Sequence, residues 1–166
     1  MSLAIRSARP GEAGLVLSFI RELAEYEKLA HEVEATEAMI ADALFGASPR
    51  VHCDIAEWNG EPAGFQVWFV NFSTFSGRYG IYLEDLFVRP ALRGKGIGKA
   101  LLADLAGRCV ENGWSRLQWS VLDWNTPSIE FYKSLGAVML DEWTVCKVGG
   151  PALAALARTA SYKTAS

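Results

Sequence analysis

Metal and disulfide chemistry find little material in this sequence. Its 166 residues hold three cysteines, Cys53, Cys109 and Cys146, and two histidines, His31 and His52. The cysteine number is odd. No pair has the spacing of a zinc site or a disulfide framework, and neither histidine has a second ligand at metal spacing. Cys53 and Cys109 stand among apolar residues, where a thiol packs as a small hydrophobe. Charge of one sign is also scarce. At a net charge of −3 the chain lacks the basic stripe that grips nucleic acid or an anionic membrane. No apolar run reaches the length of a membrane span, and the N-terminal segment has no signal-peptide core. The expectations are a cytoplasmic protein with no metal, no nucleic-acid partner and no membrane partner.

What is present suits one globular domain: 51% hydrophobic and 21% charged residues are enough for a real core. Residues 3–9 alternate as a strand, and Pro10-Gly11 breaks it. Residues 12–29 place Leu15, Phe19, Leu23 and Tyr26 at helical spacing. Thr36 caps a second helix that ends at Gly46. Strands are expected over 51–58 and 63–71 around an Asn59-Gly60 hairpin turn. A loop follows over 72–80, then a strand over 81–88. Residues 96–112 give the strongest helix, with Ile97, Leu101, Leu105 and Cys109 in one stripe and Gly113 as its cap. A strand over 116–122, a helix over 126–135 opened by Thr126-Pro127, a strand or hairpin over 137–148 and a helix over 151–158 complete the order. This is a mixed α/β domain over residues 1–158, with a flexible tail over 159–166.

The chemistry concentrates in Arg93-Gly94-Lys95-Gly96-Ile97-Gly98. A loop that feeds a helix leaves unpaired backbone N–H groups at the positive end of the helix dipole. Glycines let that backbone close on an anion, so the segment reads as a pyrophosphate cradle or as a plain glycine-rich helix start. It has neither the six-residue glycine pattern of dinucleotide folds nor the Gly-Lys-Ser/Thr ending of a triphosphate loop.

Arg93-x-x-Gly96-x-Gly98 resembles motif A of the GNAT acetyltransferases, and Asn125 through Tyr132 to Gly136 resembles their motif B. Glu22 to Glu27, Tyr82 to Val88 and Trp124 to Lys133 are similar to the diamine and polyamine branch of that family. The resemblance implies a GNAT-type domain. Its twisted mixed sheet would have about six to seven strands with helices on both faces, and central strands that splay to admit pantetheine. It also implies acetyl-CoA as co-substrate and direct attack by a small cationic primary amine. Protein acetylation and a non-catalytic CoA-binding module are the alternatives. Homodimerisation follows by analogy, through the apolar strand at 145–148 with the following segment 151–157.

Residue roles follow from the same resemblance. Backbone of Leu86, Phe87 and Val88 would polarise the thioester carbonyl. The pyrophosphate would sit on Arg93, Gly94, Lys95, Gly96, Ile97, Gly98 and Lys99, and Asn125, Pro127 and Ser128 would meet the pantetheine arm. Tyr132 is the general acid, since a phenol with an ordinary pKa near 10 is protonated at neutral pH; its alternative is a core aromatic. Glu84 is the base or amine-binding carboxylate. Strict strand alternation would keep Glu84 and Asp85 on opposite faces. Tyr26, Glu27, Trp119 and Glu142 would line the amine pocket, with aromatic walls attracting cations. The glutamates between Glu22 and Glu37 also read as a solvated face.

Overall fold

The strand runs assemble into a mixed sheet in the order β1-β2-β3-β4-β5 in a computed structural model, which describes residues 1–161. Residues 162–166 of the expected tail lie outside the described residues. The strands are β1 (Leu3–Ser7), β2 (His52–Trp58), β3 (Glu61–Ser73), β4 (Arg78–Val88) and β5 (Leu117–Gln118). The first four are antiparallel, and β5 joins β4 in parallel. The helices are α1 (Ala13–Tyr26), α2 (Glu37–Phe45), α3 (Ile97–Asn112), α4 (Thr126–Ser134) and α5 (Gly150–Ala157). The chain divides into two compact units, residues 1–123 and the part from Trp124 onward. The sheet with α1, α2 and α3 forms the first; α4 and α5 belong to the second. Among the described residues no helix is long and apolar enough to cross a membrane.

The sheet has five strands, which corrects the expected six to seven. Residues 137–148 have strand-like composition but form no strand, and 116–122 pair only over Leu117–Gln118. Strand propensity describes fit to a pleated surface and does not by itself supply a pairing partner. Val138, Trp143 and Val145 are accordingly exposed. The error runs the other way at 72–80, expected as a loop. Only 74–77 turn; Phe72 and Tyr79 pair across the ladder, with ring centres 5.2 Å apart edge to face. Such pairs contribute about 0.2–1 kcal/mol.

Local signals fix the remaining elements. Asn59 and Gly60 both take positive φ (53° and 86°), as a tight hairpin of this twist requires. The Thr36 side chain accepts from the Met39 N–H at 3.2 Å and caps α2. On one face of the sheet Val16, Phe19 and Leu23 of α1 pack on Cys53, Ile55, Phe65 and Phe87. On the other, Ile97 and Leu101 of α3 pack on Ala56 and Ala63, with Leu86 and Val88 alongside. Each fully buried large side chain contributes roughly 1.5–3 kcal/mol. Arg89 staples α1 to the end of β4. It lies 4.6 Å from the Phe19 ring centre and donates to Glu22 and to the Pro62 carbonyl.

A buried polar network ties α3 to the sheet. Asp54 on β2, 1% exposed, accepts from Trp68 Nε1 at 2.8 Å, Gln66 Nε2 at 3.0 Å and Arg108 Nη2 at 3.2 Å. Arg108 also donates to Asp104 one turn earlier on α3. A carboxylate so buried is tolerated only with this set of donors. Asp54→Ala leaves Arg108, Gln66 and Trp68 without their shared acceptor. It should lower the unfolding free energy by about 3–5 kcal/mol in urea denaturation, whereas loss of an ordinary surface ion pair would cost under about 1 kcal/mol.

Candidate active site

The centre of the site is an irregularity in β4. Leu83 pairs with Trp68 and Asp85 with the preceding Val67, so Glu84 has no cross-strand partner. One extra residue of this kind shifts the phase of the pleat. Before the bulge, Tyr82 lies opposite Phe69; after it, Asp85 lies opposite Val67 and Phe87 opposite Phe65, on the face covered by α1. Glu84 shares the face of Tyr82 by alternation, and Asp85 shares the face of Val67. Both carboxylates therefore stand on the α1 side, which corrects the strict alternation expected from sequence.

Glu27, at the end of α1, joins them electrostatically. Burial, with the charges of Glu84 and Glu27, pushes the Asp85 carboxyl up to about 6. Burial also raises the Glu27 carboxyl above the usual range. Glu84 itself is exposed. A carboxyl that titrates near neutrality inside an acidic cluster is equipped to hold an ammonium or to take its proton. Asp85 is a candidate that the sequence reading set behind Glu84, on the ground that the two would face opposite ways. Adjacent Glu-Asp on a strand is its only sequence signal, and the bulge that gives it meaning has none.

Beyond Tyr82, β4 has no strand on its β5 side among the described residues, because β5 ends at Gln118. The Tyr82 hydroxyl meets Ser120 Oγ at 2.9 Å where the ladder stops. Trp119 follows β5 directly and is half-buried. The main chain of Leu86, Phe87 and Val88 lies along this uncovered stretch.

The glycine segment connects β4 to α3. Gly94 and Gly96 take φ of 78° and 80°, and nothing lies within 4 Å of where either Cβ would be. Glycine is thus needed here for conformation rather than for space. Gly96 is the N-cap of α3 and supplies no side-chain hydrogen bond. The first-turn N–H groups of α3 consequently face an open, uncapped end, while Ile97, 1% exposed, anchors that end in the core. Gly98 and Lys99 continue the turn, and Lys95 Nζ lies 5.5 Å from the Trp58 ring centre. An uncapped helix start with left-handed glycines fits a pyrophosphate.

In the second unit, Asn125 is the N-cap of α4, its side chain accepting from the Ser128 N–H at 3.3 Å, with Pro127 in the first turn. The cap of α4 thus lies one residue before Thr126, with which the helix was expected to open. Tyr132 is half-buried on α4, its ring centre 5.6 Å from that of Phe131. Glu142 is exposed on the unpaired segment after α4. The first unit therefore carries Tyr26, Glu27, Glu84, Trp119 and the cradle, and the second carries Asn125, Pro127, Ser128, Tyr132 and Glu142. Thiols play no part in either set. Burial pushes Cys53 up to about 12 and also raises Cys109, leaving neither a nucleophile at neutral pH.

Comparison with known proteins supplies a further set of findings. Residues 17–137 match the model of the acetyltransferase (GNAT) family. The chain is 40% identical over 164 residues to a thialysine N-epsilon-acetyltransferase of Bos taurus, covering 92% of this chain and 96% of that protein. It is 30% identical over 197 residues to an L-ornithine N5-acetyltransferase of Arabidopsis thaliana, covering 92% and 86%. Among solved structures, an integron cassette protein from the mobile metagenome of V. cholerae superposes with a TM-score of 0.78 at 30% identity, covering 95% of this chain and 99% of that one.

The Asp85 carboxyl makes a prediction about pH. Its folded pKa is raised, so its stabilising contribution is complete below about pH 4 and is lost as pH rises through about 6. Asp85→Asn, which mimics the protonated form, should raise the unfolding free energy at pH 7.5 by on the order of 1–3 kcal/mol. Below pH 4 the two proteins should unfold at the same urea concentration. A gain that is equal at both pH values would mean that Asp85 titrates normally.

Proposed function

The chain belongs to the acetyltransferase (GNAT) family, and we propose on that premise that it transfers the acetyl group of acetyl-CoA to a primary amine of a small cationic molecule. The observation that carries this reading is the placing of Glu84 and Asp85 together on the α1 face of β4, with Asp85 coupled electrostatically to Glu27 at the end of α1. The names of the two relatives, a thialysine and an ornithine acetyltransferase, support an acceptor of the diamine or diamino-acid kind. Polyamines stay within the proposed class.

The proposed roles follow the chemistry. Acetyl-CoA, when bound, supplies the thioester whose carbonyl carbon the amine attacks. The first-turn N–H groups of α3, with Arg93, Gly94, Lys95, Gly96, Ile97, Gly98 and Lys99, hold the pyrophosphate. Backbone donors of Leu86 to Val88 face the developing oxyanion. An amine of this kind arrives as an ammonium, because its ordinary pKa is near 10. Glu84 or Asp85 takes its proton, directly or through water, and frees the lone pair. The carbon–nitrogen bond forms and the carbon–sulfur bond then breaks; the Tyr132 hydroxyl gives its proton to the departing sulfur, and the second proton shed by the acylated nitrogen returns to the Tyr132 phenolate through water. Tyr26, Glu27, Trp119 and Glu142 are the residues proposed to contact the remainder of the amine. No covalent enzyme intermediate is invoked, which accords with the raised pKa of both buried thiols.

A homodimer in the cytoplasm completes the proposal. The unpaired segment from 137 to 149 exposes Val138, Leu140, Trp143 and Val145, and a strand-like run without a ladder suits the same run of a second copy.

Two measurements test these readings. CoA release should be accelerated by diamines or diamino acids and not by peptides with free N-termini. Tyr132→Phe should lower kcat by about 100-fold or more with little change in acetyl-CoA affinity. Efficient turnover of peptides alone would move the assignment to protein acetylation. In sedimentation equilibrium the chain should run as a dimer and the Leu140→Asp, Trp143→Asp double variant as a monomer. A monomeric parent chain would end the dimer proposal.

A further inference from the structure

Arg93 opens the cradle, but its side chain turns toward the amine face. Its Nε donates to the Val88 carbonyl at 2.9 Å, and its guanidinium carbon lies 4.7 Å from the Tyr26 ring centre and 5.5 Å from that of Phe87. The arginines at 6, 89 and 108 each meet a carboxylate within 3.2 Å. Among the described residues Arg93 forms no ion pair. Its ring contacts and its Nε bond fix the guanidinium plane without engaging the two Nη groups. A planar guanidinium held by its near edge presents a ready two-pronged donor to a carboxylate.

Position gives that donor its meaning. Asp85 and Phe87 share the α1 face of β4, two residues apart, which places them about 7 Å from one another along the strand. Tyr26, the other ring under Arg93, adjoins Glu27 in sequence. The α1 face of β4 and the end of α1 thus carry carboxylates at Glu84, Asp85 and Glu27 and, about two residues farther along β4, a guanidinium with no ion pair among the described residues. A ligand that complements it carries an amine at one end and an anion at the other. A diamino acid has that layout, with its terminal nitrogen and its carboxylate separated by a short carbon chain. A diamine or polyamine would instead bring a second positive charge against Arg93, a repulsive element that discriminates as strongly as an attractive one.

We propose that Arg93 binds the α-carboxylate of the amine substrate and so makes diamino acids the preferred acceptors over the corresponding diamines. This rests on the small-amine acetyltransferase reading above. Arg93 then has two neighbours in the reaction: its backbone belongs to the cradle, and its side chain sets acceptor specificity.

The test uses pairs that differ only in the carboxylate: L-ornithine against putrescine, and L-lysine against cadaverine. Initial rates are measured on the full chain at saturating acetyl-CoA. The unmodified protein should favour the carboxylate-bearing member by roughly tenfold or more in kcat/KM. Arg93→Gln should bring that ratio close to unity, mainly through KM for the amine, and Arg93→Lys should retain part of it. A general loss from a disturbed cradle affects both members and cancels in the ratio. Arg93 is exposed, and intact far-ultraviolet circular dichroism checks the fold of each variant. Equal use of both members by the unmodified protein overturns the inference. So does an unchanged ratio in Arg93→Gln with a raised KM for acetyl-CoA, which would give the side chain to the pyrophosphate. Absence of turnover with all four amines would instead remove the small-amine reading, and this inference with it.

Discussion

Between Leu83 and Asp85 the β3–β4 ladder gains a residue, and the pleat of β4 changes phase at that point. Without the shift, only one of two adjacent carboxylates would lie on the α1 face. With it, Glu84 and Asp85 share that face, and the charges of Glu84 and Glu27 add to burial in raising the Asp85 carboxyl. Among the described residues no strand pairs with the β5 side of β4 past Tyr82, the stretch that carries Glu84 and Asp85. Bulges re-aim side chains at the cost of ladder hydrogen bonds. The surrounding packing offsets that cost: Phe87 in the α1 core and Leu86 and Val88 against α3 hold the strand on both sides of the irregularity.

Much of the scaffold was legible because its signals are local. The Asn59-Gly60 turn, the Thr36 cap and the stripe of Ile97, Leu101 and Leu105 each express a preference decided within a few residues. The strand expected over 137–148 does not form, and alternation could not show that, because pairing depends on a partner edge about which alternation says nothing. The hairpin over 72–80 was hidden by serines and glycines that resemble a loop, while Phe72 and Tyr79 stabilise it across the ladder.

The candidate site divides along similar lines. The cradle was visible in the sequence because glycine is the residue that left-handed backbone demands, and Gly94 and Gly96 both adopt it. Tyr26, Glu27 and Glu84 were found through resemblance. Asp85 was set aside by an alternation argument that holds for a regular strand and fails at a bulge. The contact of Arg93 with Tyr26 spans 67 positions and leaves no periodic trace. The pocket concentrates acidic groups that burial disfavours, whereas the Asp54 network beneath the sheet concentrates charge that is fully partnered. Unpartnered charge of this kind is commonly retained where binding needs it, at the expense of stability.

The burial of two of the three thiols has a practical corollary. Cys53 and Cys109 are enclosed, and Cys146 stands exposed on the unpaired segment after α4. A maleimide dye added to the native protein therefore has one addressable attachment point. That point lies on the stretch whose pairing the sheet leaves undecided, so the unaltered chain already contains a fluorescent reporter position for whatever covers residues 137 to 149.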